Sequence, residues 1–325
     1  MNETSSILNN FFPEFEKTSE IKKLLDKIIE FKNDKDKMFQ ILNQINLIIF
    51  SQREECSKNI EQLTKFIEHN FKILTVKLAV KIFTHLSKLL LHNSSIHLIL
   101  GYHFYKIFFS ILLESDNKEE DNKYLIKNIG EIIKINGSHL SKDIKSSIDD
   151  IVKRFLYGRI STRKKITLIQ ILIEFINSAP IISFNKMTKT KSIQKLIAEN
   201  FKHSDIEIRN IISELAFAFF CLLKNRDNDI RKNYFQIIYD LIIGILGHIT
   251  KDTDIFAIHG SILLIKSISL IKDLFHAQSK HILLIVFKFK DCSYLPIKNS
   301  IIEFIPDLTD YIRDNENIFF NTIGK

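Results

Sequence analysis

Glycine and proline are scarce in this chain, at 8 and 4 of 325 residues. A sheet protein with many tight turns needs far more of both. The shortage excludes that class and favours long helices with short connections. Cysteine is scarce too. Cys56, Cys221 and Cys292 are odd in number and far apart, which fits a reducing compartment and no disulfide framework. Cys221 sits inside LAFAFFCLL and reads as a small core residue. The longest apolar run, Leu215 to Leu223, is about half a membrane span, so no transmembrane helix is expected. The opening MNETSSILNN lacks the basic start and apolar stretch of a secretory leader.

Motifs for reaction chemistry are missing as well. The glycines stand at 101, 130, 137, 158, 244, 247, 260 and 324. They write neither a GxGxxG nor a GxxxxGK[ST] loop, so no phosphate cradle is expected. Nothing like HRD or DFG occurs, which excludes phosphoryl transfer by a kinase route within this chain. HExxH and CxxC are absent. His92, His97 and His103 are five and six residues apart and fall on different faces of a helix, so no metal site is expected.

What the chain does have is 45% hydrophobic and 26% charged residues, a globular balance. Ile, Phe, Lys and Asn are heavily used. Isoleucine is a mediocre helix former, so packing rather than propensity must hold such helices. The net charge is +8, with 46 basic and 38 acidic residues. It is spread along the chain rather than striped, which reads as a soluble, mildly basic surface more than a nucleic-acid footprint.

Helical periodicity runs throughout. Ile21, Leu24, Leu25, Ile28 and Ile29 form one stripe, and Met38, Ile41, Leu42, Ile45, Ile48 and Ile49 repeat it. Further helices are predicted at about 59–72, 75–92, 96–114, 122–136, 141–157, 161–178, 190–202, 205–224, 230–249, 254–274, 278–289 and 294–312. Polar breaks such as Ser115 to Asn122 separate them. Ten- to twenty-residue helices on short loops leave no room for a sheet. Residues 1–18 read as a polar arm carrying Phe11, Phe12 and Pro13, and 19–325 as a single array with a break near 225–230.

The elements also recur. Arg163, Arg209, His259 and Lys298 each lie just inside a helix that follows a polar turn, about 40–50 residues apart. That spacing suits a two-helix unit. The expected class is all-α, a HEAT/armadillo-like α-solenoid of stacked antiparallel helix pairs, with about six or seven pairs. In the clearest unit, Ser204, Asp205, Ile206 and Glu207 read as a capping box, with the Ser204 hydroxyl as cap and Glu207 reaching back. Asp205 and Arg209 are one turn apart and suit an ion pair or a bridge to the next unit. Gly260 inside a helix predicts close approach of the partner helix of its unit. His259 reads chiefly as a residue that caps or pairs at a helix start, and Pro306 as a bend. Two basic clusters stand out: Lys153, Arg154, Arg159, Arg163, Lys164 and Lys165, and then Lys186, Lys189, Lys191 and Lys195. They read as solvated turns, with phosphate or anionic lipid as the functional alternative. Phe319 and Phe320, with Phe11 and Phe12, are candidates for a partner groove.

Three stretches resemble the N-terminal HEAT-repeat region of the target of rapamycin (TOR) protein kinases. They are SIDDIVKRFLYGRISTRKKITLIQILIEFINSAPIISF at 147–184, HSDIEIRNIISELAFAFFCLL at 203–223, and IHGSILLIKSIS at 258–269 followed by IKNSIIEFIPDLTDYIRDNENIF at 297–319. Ile258-His259-Gly260 is the most specific of these motifs. The likeness covers about residues 100–322. The segment between His259 and Lys298 is shorter than in many members, and Lys298 and Asn299 replace the more usual small polar residues.

The resemblance implies a non-catalytic scaffold for protein–protein interaction in nutrient and growth signalling. The chain would be the N-terminal arm of a larger serine/threonine kinase, or derived from one. No cofactor is expected in this chain, and ATP and Mg would serve a downstream kinase domain. Implied partners are a Raptor-like regulatory subunit, a small GTPase, the downstream kinase region and a dimer mate. The implied setting is the cytoplasm, with peripheral association on endomembranes. The end in IFFNTIGK without a polar capping helix suits a fragment. Two alternatives stand beside this reading: a free-standing HEAT adaptor of the transport or phosphatase-scaffold type, and a nucleic-acid-binding helical repeat.

Overall fold

The computed structural model describes residues 23–31, 34–51, 94–114, 118–178, 190–224, 227–250, 253–289 and 291–304, with 306 and 313. Among these residues the regular structure is helical and no strand occurs. The N-terminal arm, the helices expected at about 59–72 and 75–92, and Phe11, Phe12, Phe319 and Phe320 lie outside the described residues. So do the loop lysines Lys186 and Lys189.

The chain divides into two compact units, Met1–Leu140 and Ser141–Lys325. In the first, α1 spans Lys35–Ser51, α2 Ser94–Glu114 and α3 Glu119–Asn136. Asp34 caps α1, its Oδ1 accepting from the Lys37 N–H at 3.2 Å. On α3, Leu125, Ile129, Ile132 and Ile133 are buried. They pack against α2, whose Phe104, Phe108 and Leu112 are likewise buried. Phe104 and Phe108 meet edge to face at 5.4 Å, which adds to the apolar burial.

The second unit holds α4 (Ser141–Tyr157), α5 (Thr162–Ser178), α6 (Thr190–Asn200), α7 (Ile206–Leu223), α8 (Asn228–Leu246), α9 (Ile255–Ile268), α10 (Lys272–Phe287) and α11 (Leu295–Phe304). α4 shows the sequence logic plainly. Ile144, Ile148, Ile151, Val152 and Phe155 are buried at helical spacing, and charged residues occupy the far face. Each such side chain contributes about 1.5–3 kcal/mol on burial.

α5 packs on α7, α7 on α9, and α9 on α11. These four helices form a row in which each touches the next. α4 lies against α5 and α6, α6 against α7, and α8 against α9 and α10. The two middle helices of the row are therefore buried nearly all round. Ten residues of α7 and ten of α9 are buried, which a helix tolerates only when neighbours cover several of its faces. Small residues let the pair approach. Ser213 Oγ donates to the Leu263 carbonyl at 3.0 Å, and Ser267 Oγ donates back to the Ser213 carbonyl at 3.2 Å.

Two sequence expectations are corrected here. α9 ends at Ile268 rather than near 274, and α10 begins at Lys272 rather than near 278. The Ser269 N–H closes the last turn on the Ile265 carbonyl, while its hydroxyl donates to the Lys266 carbonyl. That local bond competes with further helix, and Ile271 is buried within the turn that follows. The second correction concerns Cys221, which is exposed rather than in the core. It shares an exposed face of α7 with Asn210, Glu214 and Phe217.

Candidate functional site

The turn 201–205 leads into α7. Asp205 is the N-cap, its Oδ1 accepting from the Glu207 N–H at 2.9 Å. The expected cap was Ser204. Its carbonyl has a different task, as an acceptor for Arg209 at 2.8 Å. Glu207 contributes its backbone N–H to the cap rather than a side chain reaching back. The Asp205 N–H in turn donates to His203 Nδ1 at 3.0 Å, which fixes the turn.

Arg209, in the first turn of α7, points inward and is 1% exposed. Nη1 donates to the His203 and Ser204 carbonyls at 2.7 and 2.8 Å, Nε to His259 Nδ1 at 2.9 Å, and Nη2 to the Tyr294 hydroxyl at 3.2 Å. The guanidinium lies over the Phe256 ring at 4.9 Å. Among the described residues no carboxylate pairs with it. The cation is held by carbonyl dipoles, an imidazole, a phenol and an aromatic face, which together offset its desolvation. The expected Asp205–Arg209 pair does not form.

His259, on α9, is also 1% exposed. An arginine can only donate, so Nδ1 is the acceptor and the imidazole proton sits on Nε2. Nε2 then donates to Ser300 Oγ, 3.1 Å away on α11. Burial, with Arg209 second, pushes the His259 pKa down to about 4. A Ser–His contact beside a groove suggests nucleophile and base. Here the tautomer is the reverse of that arrangement. A base needs a free lone pair on Nε2, and this imidazole already carries its proton there. The chain Arg209 to His259 to Ser300 is a polarised line of donors that ties α7, α9 and α11 together.

Ser300 and His259 form part of the wall of a groove of about 670 Å³ that runs across α5, α7, α9 and α11. On its α7 side stand Asn210, Glu214 and Phe217, one helical turn apart. Asn177 comes from α5, Lys266 from α9, and Asn299 and Glu303 from α11. Phe217 is 38% exposed. Among the described residues, no hydrogen bond within the chain engages the carboxamides of Asn177, Asn210 and Asn299, and no ion pair engages Glu214, Glu303 or Lys266. The walls partly desolvate Glu214 and push its pKa up.

Gly260 makes the close approach its sequence context predicts, though not to a helix. A Cβ there would collide with the Phe201 carbonyl, in the turn just after α6. Lys298 is exposed in the first turn of α11, and Pro306 is exposed beyond the described end of that helix. The expected basic edge is partly occupied. Arg154 pairs with Asp150 at 3.0 Å, and the Lys165 ammonium sits over the Phe155 ring at 5.4 Å. Arg159 and Arg163 are exposed, and Lys164 and Lys165 are half-buried.

The structure thus brings Ser204, Asp205, Arg209 and His259 to one place, where burial and then the nearby Lys165 charge lower the pKa of His203, while Lys298 and Pro306 stand on and beyond α11. Sequence reasoning missed Phe256, Tyr294 and Ser300, which carry no periodic signal of their own. It also missed the groove. Asn210, Glu214 and Phe217 at i, i+4 and i+7 signalled a shared helix face, but not that the face lines a concavity. Among the described residues no group of His, Cys, Asp and Glu could hold a metal ion, and no helix is long and apolar enough to cross a membrane. No protein-family model, curated protein or solved structure matches this chain.

Proposed function

We propose that this chain is a non-catalytic α-solenoid scaffold of HEAT type, which binds other proteins along the row α5, α7, α9 and α11. The observation that carries the reading is the row itself. Helix pairs α4/α5, α6/α7 and α8/α9 each send their second helix into it, α11 follows on α9, and α4–α6 and α8–α10 contacts run alongside. This alternation is what a stacked two-helix repeat requires. The polar chain Arg209–His259–Ser300 supports the same reading, because it joins three successive members of the row.

The three resembling stretches extend the proposal. The chain is the N-terminal arm of a TOR-type serine/threonine kinase, with a Raptor-like subunit, a small GTPase and a dimer mate as partners. ATP and Mg serve a kinase domain elsewhere in that protein. Its setting is the cytoplasm and the surface of endomembranes. The test has two parts. The chain and a purified Raptor-like subunit are run together on a sizing column, where coelution is expected and independent migration contradicts the reading. Blotting native lysate with an antibody to α7–α9 should show a band far above the 38.1 kDa of this chain. A band at that mass would instead favour a free-standing adaptor.

A further inference from the structure

The row has two edges, and they differ. Arg209, His259 and Ser300 meet near the starts of α7, α9 and α11, so these helices begin on the same side. The turn 201–205 lies there too, since the His203 and Ser204 carbonyls accept from Arg209. The start of α5 joins them, because its Lys165 is the charge that, after burial, lowers the pKa of His203. The connections before α5, α7, α9 and α11 therefore share one edge.

Each connection carries an exposed apolar side chain. Tyr157 is 72% exposed at the end of α4, and Leu295 is 63% exposed at the start of α11. Ile206 at the start of α7 and Ile249 just beyond α8 are exposed as well. Single exposed apolar residues are ordinary on a surface, but these four recur at the same place, one on each connection. Basic residues stand among them. Arg159, Lys202, Lys288 and Lys298 are exposed, and no ion pair among the described residues engages them. Of the nearby acids, Asp205 and Asp254 are spent on helix caps, which leaves Glu207 and Asp291. The opposite edge is mixed. Where α8 and α10 begin, it carries Asp227, Asp229 and Asp273 beside Lys224 and Lys272, and Asp273 pairs with Arg231 at 3.5 Å.

The pattern discriminates between partners. A protein partner dries out a contiguous apolar patch, and four tips on separate connections make none. Single-stranded nucleic acid stacks its bases on aromatic rings, and three of the four tips are aliphatic. The interfacial zone of a bilayer accepts apolar side chains one at a time, while anionic headgroups attract Lys and Arg at the same level.

We propose that the edge formed by the connections before α5, α7, α9 and α11 docks on an anionic lipid bilayer, with Tyr157, Ile206, Ile249 and Leu295 entering the headgroup region and the exposed lysines and arginine meeting the headgroups. This deepens the endomembrane setting proposed above and rests on the row, because only helices that start together bring their connections to one edge.

The chain has no tryptophan, so one introduced indole reports on one place. The full chain carrying Leu295→Trp, or Ile230→Trp on the opposite edge, is mixed with vesicles of phosphatidylcholine alone or of two parts phosphatidylcholine to one of phosphatidylserine. Both sites are exposed, and far-UV circular dichroism should show both variants folded. With anionic vesicles the emission of Leu295→Trp should shift to the blue, and that of Ile230→Trp should stay in place. Cosedimentation should show binding at least about tenfold weaker on neutral vesicles, and weaker at high salt. Lys202→Gln together with Lys298→Gln should weaken binding to anionic vesicles about 25-fold, about fivefold for each charge. Equal shifts for the two indoles, equal binding to both vesicles, or full affinity in the glutamine variant would overturn the proposal. So would salt-dependent binding of random single-stranded RNA by a chain that anionic vesicles leave in solution. If vesicles fail to bind while the Raptor-like subunit still coelutes, the membrane edge falls and the scaffold reading stands.

Discussion

His259 makes a sharp prediction about acid. Its ordinary pKa is 6.5, and in the folded chain burial and Arg209 hold it at about 4. Between those values the unfolded chain binds a proton that the folded chain refuses. Stability therefore falls as pH drops through 6.5 and levels off below about 4. At about 1.4 kcal/mol per unit, the shift amounts to about 3 kcal/mol lost across that window, a large fraction of the stability of an ordinary domain. His203 is shifted in the same direction by burial, so its smaller term adds. Glu214 is shifted the other way for a carboxylate, and its term opposes on the acid side. Urea denaturation followed by far-UV circular dichroism, repeated from pH 7.5 to 4.5, measures the slope. The decisive comparison is His259→Gln, whose carboxamide can accept from Arg209 and donate to Ser300 without titrating. The variant should lose most of the slope in this window. Parallel pH profiles for variant and parent would refute the buried, neutral imidazole.

Two other perturbations follow from the same packing. Arg209→Met and His259→Phe should each cost about 3 kcal/mol, because each leaves buried polar groups unpaired. The double variant should cost about 1–2 kcal/mol less than the sum, and additivity within about 0.5 kcal/mol would show that the two side chains do not interact. Gly260→Ala should destabilise by about 1–3 kcal/mol in thermal melts despite alanine's better helix propensity, since the added Cβ meets the Phe201 backbone. Gly244→Ala, with nothing within 4 Å of the new Cβ, should stabilise by about 0.5–1 kcal/mol. A similar response at the two glycines would contradict the close approach at Gly260.

The all-helical class was legible in the chain because its cues are local. The paucity of glycine and proline and the i, i+3, i+4 stripes act within one helix, and α4 begins and ends where its stripe does. The break after Ile268 was not legible. Apolar spacing continues through Leu270 and Ile271, and only the packing of Ile271 and the serine turn reveals the stop. Cys221 was misplaced for a related reason. A nine-residue apolar run cannot say which of its members faces a neighbour and which faces a groove. Arg209 and His259 stood out by recurrence, yet their partnership over fifty residues depends on how α7 and α9 are set side by side. Tyr294 and Ser300 joined them only through the fold.

Truncation after Asn225, which removes α8 to α11 and keeps α4 to α7, examines the row most directly. In a one-dimensional array each helix depends on its neighbours alone. The shortened chain should keep α4 to α6 protected in amide hydrogen exchange, with fraying confined to α7 where Arg209 has lost His259 and Tyr294. Protection lost uniformly across α4 to α7 would mean that the helices share one indivisible core, and the scaffold built on a row would be wrong.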